Sequence, residues 1–85
     1  QYLALKPQLD ATIANILENT SFVGGKPVAD FEKAFATYLG IKHCVACANG
    51  TDSLEIIPKA WEIGPGDEVI VPACSWISTS EAVSS

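Results

Sequence analysis

Asn49-Gly50-Thr51-Asp52-Ser53 lies between a short apolar run and a stretch of helical periodicity, and its residue types suit the binding of an anion. The first backbone N–H groups of a helix have no partner and sit at the positive end of its dipole, so together they can hold a phosphate. Gly50 lets the backbone turn tightly and approach a ligand, and Thr51 adds a hydroxyl donor. The same residues also read as an ordinary turn with Thr51 as N-cap, and the pentapeptide alone does not separate the two. Trp76, in Pro-Ala-Cys-Ser-Trp-Ile-Ser-Thr (72–79), is the second candidate. A flat indole there could stack on the ring of an aromatic cofactor, or it could be a half-buried packing residue, as Trp61 is expected to be. A third candidate is the Cys-x-x-Cys spacing of Cys44 and Cys47. In a strand those two side chains point to opposite faces, and no second pair completes a four-ligand set. They read as small core cysteines, and no metal site is expected. His43 is the only histidine and is expected at the surface beside a strand, so no Ser-His-acid or Cys-His arrangement stands out.

The elements that must position these residues follow from periodicity. Leu9, Ile13, Ile16 and Leu17 recur at helical spacing over about 7–19, with Pro7 suited to the first turn. Ser21 to Lys26 is a glycine-bearing loop. A second helix is expected from Pro27, with Val28, Phe31, Phe35, Tyr38 and Leu39 on one face and Gly40 at a left-handed cap. His43 to Ala48 reads as a buried strand and Asn49-Gly50 as the turn after it. Thr51 to about Glu62 reads as a helix with Leu54, Ile57 and Trp61 on one side. Gly64-Pro65-Gly66-Asp67 is a turn, Glu68 to Pro72 a second buried strand, and a last helix is expected from about Ile77. Two strands joined by a helix make a βαβ unit, with parallel strands and a right-handed crossover. Thr51 and Trp76 then share the carboxyl edge of the sheet, where ligands collect in such folds. Pro58 conflicts with this scheme, because a proline inside a helix removes a hydrogen bond and clashes with the preceding turn.

Composition limits the rest. A chain of 85 residues can form one small domain at most, and at that size it buries little more than roughly 60% of its unfolded surface. Yet 48% of the residues are hydrophobic and 18% charged, which suggests apolar faces whose partners the chain does not contain. Two parallel strands are no stable sheet alone, so the pattern reads as part of a larger, mostly parallel one. The net charge of −5 carries no basic patch, which argues against DNA or RNA. No apolar run is long enough to span a bilayer, and no signal peptide is visible at Gln1, where the true start is expected to be missing. Three cysteines without a disulfide pattern suit a reduced, cytoplasmic chain.

Four stretches taken together, 22–40, 43–54, 63–72 and 75–79, resemble the DegT/DnrJ/EryC1/StrS aminotransferases, and the likeness runs in order through nearly the whole chain. The resemblance implies a type I pyridoxal-phosphate fold with active sites at a homodimer interface. Residues 1–85 would be a single incomplete domain, with 1–40 an N-terminal helical segment and 41–85 the start of the cofactor-binding α/β part. The resemblance also implies that Gly50, Thr51 and Asp52 hold the phosphate of pyridoxal 5'-phosphate, Thr51 by its hydroxyl and Asp52 chiefly by its backbone N–H. Trp76 would stack on the pyridine ring, and the loop at Val23, Gly24 and Gly25 would lie near the active site. The implied reaction moves an amino group from an amino acid, typically glutamate, to a nucleotide-linked keto-sugar, for surface polysaccharide or antibiotic-sugar synthesis. None of Lys6, Lys26, Lys33, Lys42 or Lys59 sits in the family's Schiff-base context, so no catalytic residue is expected here and the chain alone is expected to be inactive. Two alternatives stay open: a sugar dehydratase of the same family, and a non-catalytic binding or interaction fragment.

Overall fold

In the computed structural model, which describes Gln1–Ser85, the first helix begins before the point that periodicity predicts. α1 spans Tyr2–Glu18, so Pro7 lies inside it and not in its first turn. Tyr2, Leu3 and Leu5 extend the helix upstream, and Lys6 pairs with Asp10 one turn on. The Leu3 carbonyl consequently loses its usual N–H donor, since proline has none. α2 spans Lys26–Leu39 and places Pro27 in its opening turn, close to expectation. Phe31, Phe35 and Tyr38 stack along one side of α2, with ring centroids 5.5 and 6.5 Å apart. α3 spans Gly50–Ala60 and α4 spans Ser78–Ser84.

Three helices end in the same way. After α1 the Ser21 N–H reaches the Ile16 carbonyl and the Thr20 N–H the Leu17 carbonyl. After α2, Ile41 bonds to Ala36 and Gly40 to Thr37; after α3, Ile63 bonds to Pro58 and Glu62 to Lys59. Each is a Schellman closure, which satisfies two carbonyls at a helix end and needs one residue in the left-handed region. That residue is Gly40 (φ 69°) after α2, as expected, but Thr20 (φ 49°) after α1 and Glu62 (φ 58°) after α3. Pro58 lies in the last turn of α3, which stops at Ala60; its carbonyl accepts the closing bond from Ile63, while the Leu54 carbonyl one turn back lacks the donor that proline cannot supply.

The two predicted strands are not strands here: no residue of the chain joins a hydrogen-bonded ladder. A ladder needs neighbours on which every N–H and C=O can pair, and two strands are too few to provide them. At the first segment the Ala46 N–H is taken by the Glu32 carboxylate of α2, at 2.7 Å. At the second, exposure still alternates with the period of a strand, as Val69 and Val71 are 38% and 37% exposed and Ile70 fully so.

The chain divides into two compact units, Gln1–Ala46 and Cys47–Ser85. In the first only Ala36 is buried, and in the second only Ala82, where α3 packs on α4. The helical faces predicted as core remain open, including Leu9, Ile13 and Leu17 on α1, the aromatic row of α2 and Leu54 and Ile57 on α3. Trp61, expected half-buried, is 73% exposed. Cys44 and Cys47, read as small core cysteines, are half-buried and exposed respectively; they and the exposed Cys74 are free thiols. Side chains of this kind are covered when a second layer packs on them. No helix is long and apolar enough to cross a membrane.

Candidate functional site

The amino terminus of α3 begins one residue earlier than the periodicity suggests, at Gly50, and the cap is Asn49 in place of Thr51. Asn49 is extended (φ −163°, ψ 175°), the conformation an N-cap takes. Its side-chain Oδ1 accepts from the Asp52 N–H at 2.9 Å, and its carbonyl accepts from the Ser53 N–H at 3.3 Å. The Cys47 thiol also donates to that carbonyl. The Ser53 bond is the first of the regular helical ladder, and of the four N–H groups that precede it only that of Asp52 has an acceptor, whereas those of Asn49, Gly50 and Thr51 meet none in the chain. Sequence reasoning passed over Asn49 as half of a turn. The signal was available, because asparagine is among the best N-capping residues and an acid three positions on completes the first turn.

The hydroxyls divide in the same manner. Ser53 Oγ donates to the Gly50 carbonyl at 2.7 Å, a bond internal to the first turn, while the Thr51 hydroxyl has no partner. Thr51, Asp52 and Ser53 are half-buried. A methyl group built on Gly50 would touch nothing within 4 Å, so the space beside this backbone is open. Gly50, Thr51 and their surroundings thus present two directed N–H donors, one hydroxyl and the positive end of a helix, a set whose chemistry fits a phosphate. Asp52 adds a carboxylate in the first turn, where a negative charge is favourable to the dipole.

Trp76 lies just before α4, and the ring is 80% exposed. Its carbonyl accepts from the Thr79 N–H, and the Ser75 and Thr79 hydroxyls pair at 2.8 Å across the same turn. No hydrogen bond joins Trp76 to Gly50, Thr51 or Asp52, although all four belong to the second unit. In the first unit, Phe22 and Val23 stand out into solvent in the loop before α2, at 62% and 94% exposure. All five lysines and His43 are exposed, as expected.

Comparison with known proteins gives one family. The model of the DegT/DnrJ/EryC1/StrS aminotransferase family matches residues 4–85. Over 83 residues, 98% of this chain, the sequence is 40% identical to the UDP-2-acetamido-2-deoxy-3-oxo-D-glucuronate aminotransferase of Pseudomonas aeruginosa, and covers 23% of that protein. Over 77 residues, 91% of the chain, it is 42% identical to the dTDP-3-amino-3,6-dideoxy-alpha-D-galactopyranose transaminase of Aneurinibacillus thermoaerophilus, covering 21% of it. Over 82 residues, 96% of the chain, it is 43% identical to the UDP-N-acetyl-3-dehydro-alpha-D-glucosamine 3-aminotranferase of Acidithiobacillus ferrooxidans, covering 22% of it. The chain spans less than a quarter of the length of these curated relatives.

Proposed function

This chain belongs to the DegT/DnrJ/EryC1/StrS aminotransferase family, and from that premise we propose that it is the N-terminal part of a pyridoxal-phosphate-dependent enzyme that aminates a nucleotide-linked keto-sugar. In this reading residues 1–40 are an N-terminal helical segment and 41–85 open the cofactor-binding α/β part of a type I fold. The segments 43–48 and 68–72 become strands when the rest of a parallel sheet pairs with them. The parent protein is a cytoplasmic homodimer and the amino donor is glutamate. The Schiff-base lysine and the acid that faces the pyridine nitrogen lie outside these 85 residues.

The observation that carries the proposal is the start of α3. The N–H groups of Gly50 and Thr51 are free, the Thr51 hydroxyl is free, and the space beside Gly50 is open. These groups hold the cofactor phosphate. Asp52 would stand in the first turn of the helix as its acidic residue, and Trp76 would offer its exposed indole for stacking on the cofactor ring. When bound, pyridoxal phosphate supplies the electron sink that amino transfer requires, and the residues of this chain anchor and orient it. That three relatives are named for amino transfer on UDP- or dTDP-linked sugars supports the choice of acceptor.

The test uses the full-length protein that contains these residues. Purified with pyridoxal phosphate, it is mixed with glutamate and a panel of UDP-, dTDP- and GDP-linked keto-sugars, and products are followed by mass spectrometry. The expected result is an amino-sugar formed in step with 2-oxoglutarate. Loss of water from the sugar without gain of nitrogen would instead assign a dehydratase. A full-length protein that binds no pyridoxal phosphate would sink the proposal altogether.

A further inference from the structure

The four opening amides of α3 are not equivalent, and one residue makes the difference. Asn49 takes the innermost of them, the Asp52 N–H, on its side-chain Oδ1 at 2.9 Å, and its carbonyl accepts the first ladder bond, from the Ser53 N–H at 3.3 Å. Ser53 Oγ is likewise turned back on the Gly50 carbonyl. What remains for an external anion are the outer amides, those of Gly50 and Thr51 among them, with the Thr51 hydroxyl. We propose that Asn49 is the positioning residue of the phosphate site: it closes the inner half of the first turn and so holds the outer amides ready for the phosphate, without itself being a ligand. The inference rests on the reading that this loop holds pyridoxal phosphate. It departs from what the sequence alone suggests, since the Asp52 amide becomes part of the support and not one of the donors.

The physical argument is one of pre-organisation. An uncapped first turn frays, because fixing its backbone angles yields few hydrogen bonds in return. A ligand that needs two adjacent amides in helical orientation then binds only the fraction of molecules in which the turn is formed, and its apparent affinity falls by that fraction. Asparagine is also the neutral choice for this task. Aspartate caps as well, but it would put a second negative charge beside the phosphate.

The test compares the full-length apoprotein with its Asn49→Ala, Asn49→Ser and Asn49→Asp variants. It measures dissociation constants for pyridoxal phosphate and for pyridoxal, which lacks the phosphate, and hydrogen exchange at the Asp52 and Ser53 amides. Asn49→Ala should weaken pyridoxal phosphate about fivefold, equivalent to about 1 kcal/mol. Pyridoxal affinity should be unchanged, and exchange at the two inner amides should speed up. Asn49→Ser, which caps equally well, should restore affinity to within about twofold. Asn49→Asp should keep the inner amides protected yet bind pyridoxal phosphate more weakly than the unsubstituted protein. Unchanged binding by Asn49→Ala, despite faster exchange, would overturn the positioning role and leave Asn49 a structural cap. Tighter binding by that variant would also overturn it, by showing that Asn49 competes with the phosphate for the Asp52 amide. Failure of Asn49→Ser to restore affinity would overturn it by making the side chain a direct ligand. If the unsubstituted protein binds no pyridoxal phosphate, the cofactor reading itself fails and the role of Asn49 falls with it.

Discussion

Gly50 and Gly40 show how the same residue type serves two different physical needs in this chain. At Gly40 the requirement is conformational: φ is 69°, and an added methyl group would meet nothing within 4 Å. Gly40→Ala should therefore weaken the end of α2 through backbone strain alone, by about 1–2 kcal/mol. At Gly50 the backbone is helical and the surroundings are equally open, so alanine is acceptable to the fold. In the full-length protein Gly50→Ala should leave stability unchanged or raise it by up to about 1 kcal/mol. Its methyl group would nonetheless stand where the phosphate approaches, so the pyridoxal phosphate dissociation constant should rise at least about tenfold, equivalent to about 1.4 kcal/mol. A variant that lost stability and kept its affinity would place the phosphate elsewhere. The sequence offered Gly50 and Thr51 as candidates by residue type and by position before a helical pattern, without separating a phosphate site from an ordinary turn. The partition of amides between Asn49 and a ligand could not be read there, as it depends on which acceptor each N–H reaches.

The helices of this protein are set as much by their ends as by their faces. Thr20 and Glu62 occupy left-handed positions that glycine fills more easily, and a β-branched residue suffers most there. Thr20→Gly should stabilise the end of α1 by about 0.5–1 kcal/mol, the relief of strain being partly offset by the greater chain entropy of glycine. Slower native-state hydrogen exchange at the Ser21 amide, which closes that end, is the readout, and unchanged exchange would mean the strain is absent. Pro58 belongs to the same scale. Because it lies in the last turn of α3, replacing it with alanine restores a donor for the Leu54 carbonyl and keeps the closing bond to Ile63. Pro58→Ala should stabilise α3 by up to ~3 kcal/mol, again read by hydrogen exchange, here at the Ile63 amide. Sequence reasoning located all four helices, α2 and α4 to within one residue, but it started α1 about five residues late and ended α3 about two late, since those ends are decided by capping bonds and not by faces.

At the scale of the whole molecule the dominant fact is how little is covered. Ala36 and Ala82 are the only buried apolar residues, while Phe31, Tyr38, Ile70 and Trp61 stand in solvent. Hydrophobic stabilisation follows the apolar area removed from water, at about 25 cal/mol per Å². An isolated 85-residue chain with so few buried groups should therefore show a broad, weakly cooperative thermal transition and bind an apolar dye such as ANS. It should also self-associate at micromolar concentration in sedimentation experiments. The same residues within the full-length protein should be protected from exchange. A sharp transition from a monomeric, dye-free fragment would show that the two units are self-sufficient.

What the sequence determined by itself was local and chemical. The periods of its apolar residues set the helices, Gly40 the end of one of them, and Gly50 with Thr51 stood out as candidates at the start of another. Four motifs in order indicated the family that the comparison then showed. Tertiary structure decided what depends on partners. The exposure of the apolar helix faces likewise reflects which other segments are there to cover them. The segments at 43–48 and 68–72 have the composition of buried strands, but a strand exists only as one side of a ladder. Composition can specify which face of a segment is apolar, but only the three-dimensional arrangement of other segments can cover that face or pair with its backbone.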